Sequence, residues 1–374
     1  MKKSIPPLTV AALAVFVFSA SITLEAETGT AKAAKEPPVS AYLMVYFKDE
    51  THSPYFALSR DGYTFADVNA GKPIMDGLKL AEQKGVRDPH IMRGPDNAFY
   101  LVMTDLHVFA QKLGLRDTQW ERPAEEYDWG NNRAIVMMKS KDLIDWSHSI
   151  FRIDRAFEET RNVGCIWAPE TIYDDVAGKL MVYFTMRLDH GKTKLYYSYA
   201  DEAFTNLETV PQELFKYPPG NQILDADITK VGDKYHMFYV AQGNSGDIQG
   251  GIKQAVSDKI NRDYVFDPVT YDPEKVGREA PTLWRRLGTD KYVLMYDVFG
   301  AKPHNMGFSE TTDFKNFKNL GRFNEGVMKT TNFTGPKHGA VMHVTDTEAR
   351  ALADHWNFDY DSLPAPAPEN QPVR

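Results

Sequence analysis

One structural unit recurs along this chain, and several copies carry a carboxylate near the same point. Arg87-Asp88-Pro89-His90-Ile91, Leu224-Asp225-Ala226-Asp227-Ile228 and Arg278-Glu279-Ala280-Pro281-Thr282-Leu283 each run from an acid into an apolar strand. Each is followed by a turn and a second aromatic strand: AFYLVM, KYHMFYV and KYVLMY. WAPETI with LMVYF adds a fourth such pair, and HGAVMHV (338–344) adds a last inner strand without partners. A second landmark is a Ser/Asp turn leading to an aromatic, at 59–65, 140–146, 199–207, 257–266 and 309–317. From Asp142 its acids recur at Asp201, Asp258 and Asp313, in steps of 59, 57 and 55 residues. A period of this size suits one propeller blade per repeat. The first outer copy, with AYLMVYF (41–47), lacks an inner strand, while the last inner strand lacks an outer copy. The economical solution is an all-β, five-bladed β-propeller over 41–357, with the two ends of the chain sharing one blade. A long β-sandwich would not explain that offset.

The formal net charge of −8, without a strongly basic stretch, excludes nucleic acid as a partner. It also disfavours a strongly acidic polysaccharide. Lys2 and Lys3 precede an apolar run from Leu8 to about Phe18, which reads as a signal peptide over 1–20. That run is too short to span a bilayer, so export to the periplasm or beyond is expected, without membrane insertion. Residues 21–40 read as a flexible leader and 358–374 as a flexible tail. Cys165 is the sole cysteine, so no intrachain disulfide can form, and its apolar neighbours mark it as buried filler. Residues 107–133 interrupt the first full blade and carry Trp120, Tyr127 and Trp129, aromatics suited to stacking on a sugar or to capping the blade edge. Thr345 with Glu348 forms a capping-box pattern that predicts a short helix ending near Trp356.

In a propeller the innermost strands line the axis, so acids at their starts converge. The candidates are Asp88, Glu170, Asp225, Asp227 and Glu279. One acid before a strand is ordinarily a turn residue that binds backbone amides. Several at matching points of different blades would repel one another without a use. Carboxylates around one cavity suit glycoside hydrolysis, which needs an acid for the leaving oxygen and a base for water.

The order RDP, WAPE, D-x-x-I, EAP and KHG resembles glycoside hydrolase family 43, over residues 41–352. The resemblance implies a five-bladed propeller that inverts the anomeric centre. It implies Asp88 as general base, Glu279 as general acid, and Asp225 as a third acid that tunes and holds Glu279. The sequence departs from the commonest pattern after Asp225, where Ala226 and Asp227 stand instead of proline; the Asp225-to-Ile228 spacing, equal to that of Asp88 to Ile91, favours Asp225 over Asp227. Trp167, Glu170, Arg278, His338, Trp129 and Trp120 are the candidate substrate-binding residues, with Arg87 and Arg278 also placed to orient the acids that follow them. No cofactor is required; the resemblance implies a place for His338 near a structural calcium or its waters. The expected partner is an oligo- or polysaccharide from plant side chains. α-L-Arabinofuranosidase is the first expectation, ahead of β-xylosidase and β-galactofuranosidase. A retaining fructan hydrolase would need an Asn-Asp-Pro nucleophile segment and a Glu-Cys acid, and neither occurs. A non-catalytic sugar-binding propeller is the other alternative, disfavoured because all three acids are present.

Overall fold

The computed structural model describes Met1 and residues 38–365. The expected signal peptide after Met1, the leader through residue 37 and the chain from 366 onward lie outside the described residues. Five sheets, antiparallel but for one two-residue parallel pairing in the closing blade, are arranged as a five-bladed β-propeller. β1 (Val39–Phe47), β2 (Pro54–Ser59) and β3 (Thr64–Asp67) open the chain. The first full blade is β4 (Val86–Arg93), β5 (Phe99–Asp105), β6 (Ala134–Ser140) and β7 (Trp146–Arg152). The second is β8 (Val163–Asp174), β9 (Lys179–Leu188), β10 (Lys194–Tyr199) and β11 (Gln212–Phe215). The third is β12 (Ile223–Val231), β13 (Lys234–Ala241), β14 (Gly251–Ser257) and β15 (Val265–Asp267). The fourth is β16 (Glu279–Arg285), β17 (Tyr292–Val298), β18 (Asn305–Thr311) and β19 (Lys318–Arg322). β20 (Lys329–Thr330) and β21 (Lys337–Thr345) return to β3 and β1, so the closing blade reads β20-β3-β2-β1-β21. This is the shared blade read from the offset repeat. The inner strands touch in the cycle β4, β8, β12, β16, β21 and back to β4.

The ring is held by five apolar interfaces, one between each pair of neighbouring blades. Every blade is therefore buried on both faces, which is why its strands read as near-continuous apolar runs. In β1, all residues from Ala41 to Phe47 are buried. The recurrent Ser/Asp landmark is the turn into each outer strand. At Ser140, the hydroxyl accepts the Asp142 and Leu143 amides while Asp142 Oδ1 accepts those of Ile144 and Asp145. Thr311 and Asp313 repeat the pattern in the fourth blade.

The inner strands share a device that the sequence shows only as scattered prolines. Each carries a β-bulge at the same point, with one residue in the left-handed region: Asp88 (φ 53°), Ala168 (44°), Asp225 (52°), Ala280 (55°) and His338 (24°). Such a residue costs on the order of 1–3 kcal/mol and persists only where its surroundings fix it. Pro89, Pro169 and Pro281 follow three of the five, tolerated because a bulge removes a residue from the ladder. The amide freed by the bulge is captured by the preceding blade. Ala168 N–H donates to Thr104 Oγ1 (2.8 Å), Asp225 N–H to Thr185 Oγ1 (2.9 Å) and His338 N–H to Asp297 Oδ2 (3.3 Å). Val240 occupies the corresponding place in β13 and offers no acceptor, and the Ala280 amide instead donates to Asp225 Oδ2 (3.3 Å).

The helix Asp346–His355 forms as the capping box predicts, with Thr345 Oγ1 accepting the Glu348 amide and Glu348 accepting that of Thr345. It packs on the interface between the closing and first blades, as do Tyr360 and Leu363. Where the sequence reading began a tail at 358, residues up to Leu363 belong to the packed domain, because their apolar side chains complete that interface. Cys165 is fully buried in β8, as read.

Thr185→Val is expected to leave the Asp225 amide buried without an acceptor and to lower stability by about 1–3 kcal/mol. Urea unfolding followed by tryptophan fluorescence checks this, and an unchanged midpoint would show that the capture contributes nothing.

Candidate active site

Asp88, Asp225, Glu279 and His338 line one cavity of about 390 Å³ at the axis. They come from the first, third, fourth and closing blades. Asp88, Asp225 and His338 occupy the bulge position itself, and Glu279 the position just before it. The bulge explains why acids one residue apart in the repeat reach the same space. An extra residue breaks the strict alternation of faces.

The electrostatics separate the acids. Burial works to raise Asp88, but the charge and hydrogen bond of His338, the Arg87 guanidinium and the Thr104 hydroxyl outweigh it and hold its carboxyl well below the usual range. His338 Nδ1 lies 3.2 Å from Asp88 Oδ1, and Thr104 Oγ1 donates to Oδ2 at 2.8 Å. Glu279 moves the other way. Burial, then the charges of Asp297 and Asp225, raise it against the pull of Lys337 and His338. Asp225 is also raised, by burial and by Asp88 and Asp297, with His338 opposing. His338 is raised to about 9: burial disfavours its charge, but Asp88, Asp225 and Glu279 more than compensate. An imidazolium thus sits among three acids, with Asp88 held toward its anion and Glu279 and Asp225 toward their protonated forms.

Arg87 adjoins this group. Its guanidinium lies over the Phe47 ring, pairs with Asp49 at 3.1 Å and approaches Asp88 Oδ1 at 4.0 Å. Behind it His52, fully buried, stacks on His107 with ring centroids 3.8 Å apart and accepts the Val108 amide.

Trp167 lines the cavity, with its indole N–H donating to Gly130 O at 2.8 Å. Gly130 has φ +65°, and a Cβ there would meet Trp167 at 3.0 Å, so glycine is required for this approach. Trp129 is more than half exposed and lines the cavity beside Trp167. Trp120 is buried, packs edge-on against Trp129 and lines an adjoining second cavity. The insertion 107–133 therefore forms one wall.

Two residues expected to bind substrate lie elsewhere. Arg278 pairs with Asp272 at 2.8 Å and donates to Gly250 O, outside the cavity. Successive residues of an extended chain point to opposite sides, so Arg278 leaves as Glu279 enters. Glu170 is held by Tyr183 OH at 2.8 Å and does not line the cavity. It belongs to a second layer, two residues past the bulge, with His90 and Asp227. This layer also captures amides of the next blade: Thr171 N–H reaches His90 Nδ1, Ile228 N–H reaches Tyr183 OH, and Leu283 N–H reaches Asp227 Oδ2. Asp227 is thereby taken up in fold closure, and Asp225 alone of the pair faces the cavity.

Among the described residues, His90, Glu170 and Asp227 are the group whose ligand atoms, within 4.8 Å of one another, can jointly hold a cation. His338 is not part of it. Sequence reasoning missed Arg187, which also lines the cavity. Its guanidinium lies over Trp167 and donates to Tyr127 O, tying the insertion to β9. A charged residue ending an otherwise apolar strand was the available signal. Gln222, Gln242 and His190 also line the cavity, and they come from loops or strand ends without a distinctive pattern.

A propeller whose axis presents an ionised and a protonated carboxyl in one sugar-sized cavity has the architecture of a glycoside hydrolase. A family model described as a probable glycosyl hydrolase domain, of the family 43-related type, matches residues 37–350, and the chain belongs to that family. An α-L-arabinofuranosidase of Bifidobacterium longum is 24% identical over 305 residues, covering 75% of this chain and 27% of that protein. The chain thus spans about a quarter of that relative's length. An α-L-arabinanase of Cellvibrio cellulosa shares the fold with a TM-score of 0.50 at 12% identity, over 79% of this chain and 96% of that one. A GH43 protein of Bacillus licheniformis does so with a TM-score of 0.50 at 14% identity, over 79% and 54%.

The His338 imidazolium is expected to persist above neutral pH and to lose its proton at distinctly lower pH in Asp88→Asn, since the largest favourable charge is gone. Imidazole NMR titration of both proteins checks this. Equal midpoints would contradict the ion pair.

Proposed function

We propose that the chain is an exported, inverting glycoside hydrolase that releases terminal pentose-type sugars from plant polysaccharide side chains, with α-L-arabinofuranosides as substrates. The observation that carries this reading is the convergence of Asp88, Asp225 and Glu279 on one cavity fit for a single sugar with its waters. The Bifidobacterium longum relative supports the choice of sugar.

In this reading Asp88 takes a proton from water as the water oxygen attacks the anomeric carbon. Glu279 gives its proton to the leaving oxygen as the glycosidic bond breaks. Asp88 ends protonated and Glu279 ionised, and solvent exchange restores both. Inversion in one step needs the two carboxyl groups far enough apart for a water, roughly 6.5–9.5 Å. His338 holds Asp88 ionised and oriented, at some expense of its basicity. Asp225 acts on Glu279 by charge, and its Oδ2 is fixed by the Ala280 amide that follows Glu279. A structural calcium, if carried, would be held by Glu170 and Asp227 with His90. Two carboxylates and an imidazole are fewer ligands than the six to eight oxygens calcium takes, so waters would complete its shell. No proton transfer above passes through it.

Asp88→Asn and Glu279→Ala are each expected to lower kcat on an aryl arabinofuranoside by roughly 10²–10⁴-fold. Proton NMR of the first product should show the inverted anomer, and a retained anomer would rule out the mechanism. Activity requires Glu279 protonated, so kcat/KM should fall as pH rises through its elevated pKa. In Asp225→Asn one negative neighbour is removed, Glu279 ionises more easily, and this alkaline limb should move to lower pH. A pH–rate profile with an unmoved limb would argue against charge coupling.

A further inference from the structure

A second cavity, of about 680 Å³, adjoins the first, and the two share Arg87, Trp129 and Glu279. Asp88, Asp225 and His338 line only the first. This asymmetry gives the site a direction. In a single displacement the water attacks opposite the leaving oxygen, and the acid sits at that oxygen. The sugar to be released lies with Asp88, and whatever follows the broken bond must extend past Glu279. Past Glu279 is the second cavity.

Its walls differ from those of the first. Phe109 and Trp129 come from the insertion 107–133, and Phe299 stands in the loop after β17. All three are exposed, at 40%, 57% and 44%, although most large apolar side chains of this protein are buried. Exposed apolar groups gathered around a cavity and rimmed by polar residues mark a ligand groove. Gln111, Lys112 and Gln119 from the insertion supply that rim, suited to sugar hydroxyls. The insertion is fixed in place. Arg116 bonds Gln83, Asn131 bonds both Arg122 and Asp128 backbone oxygens, and the His52–His107 stack anchors its start. Its aromatics are therefore pre-set, which lowers the ordering cost of binding.

We propose that the second cavity binds the leaving portion of the substrate as a chain of at least two sugar residues, and that Phe109 and Phe299 decide which chains are accepted. This rests on the hydrolytic reading above for its direction. The volume supports more than one residue, since the space beyond Glu279 exceeds that holding the released sugar.

Two measurements on wild type and the Phe109→Ala/Phe299→Ala double variant test it. In the first, kcat/KM is compared on an aryl arabinofuranoside, whose leaving group is one ring, and on an arabinose-substituted xylo-oligosaccharide. The ratio of the second to the first is expected to fall at least tenfold in the variant, and an unchanged ratio would overturn the assignment. In the second, calorimetry follows binding of the unsubstituted trisaccharides of xylan, arabinan and galactan, which needs no turnover. At least one should bind wild type and weaken tenfold or more in the variant. Absence of binding to wild type, or equal binding to both proteins, overturns the second cavity's role even if hydrolysis is intact. Variant-sensitive binding in a wild type inert on every glycoside would support the cavity and sink the hydrolytic reading instead. Circular dichroism of the variant confirms that it is folded.

Discussion

Everything in this molecule depends on how the inner strands accept a left-handed residue at the axis. A bulge there costs conformational energy and frees an amide. The preceding blade returns the stabilisation by offering a hydroxyl or carboxylate to that amide. Thr104, Thr185 and Asp297 stand at equivalent points and do this in three of the interfaces. The same device closes the ring and lifts the bulge side chains into the cavity. Fold closure and site assembly are one set of hydrogen bonds. In the exception, Val240 leaves the Ala280 amide to Asp225, which ties a site acid to the strand bearing Glu279.

The His338 imidazolium, helped by Arg87 and Lys337, orders the charges that gather there. Without His338, the buried carboxyls of Asp88, Asp225 and Glu279 would resist ionisation together. With it, Asp88 is held as the anion while Glu279, on which Asp297 and Asp225 act more strongly than the imidazolium, is held toward its protonated form. The layer beneath is neutral in character. Burial lowers His90 to about 3, and burial raises Asp227 to about 7 and Glu170 well above its ordinary value. His90 and Asp227 accept backbone amides of the next blade, and Glu170 fixes the Tyr183 hydroxyl that accepts another, so this layer serves the closure of the ring.

The repeat, the shared closing blade, the helix after Thr345 and the gathering of acids at the axis were all legible in the chain. Each leaves a local mark: a period near 57 residues, a capping box, or an acid before an apolar run. Glu170 and Arg278 carried similar marks and lie outside the cavity. A strand's alternation predicts which side a residue faces only while the ladder is regular. The bulge resets it, and the reset is visible only once partner strands are aligned. Arg187, Gln222 and Gln242 reached the site from strand ends and loops whose paths depend on neighbouring blades.

By itself the sequence determined the five-fold architecture and the chemical identity of the carboxyls, because both follow from periodic burial and from residue type. Only the tertiary structure decided which carboxyls share a cavity, which ionise, and where the space beyond Glu279 opens. Those outcomes depend on distances between blades far apart in the chain, and electrostatic and packing energies are set by distance in space, not by position along the backbone.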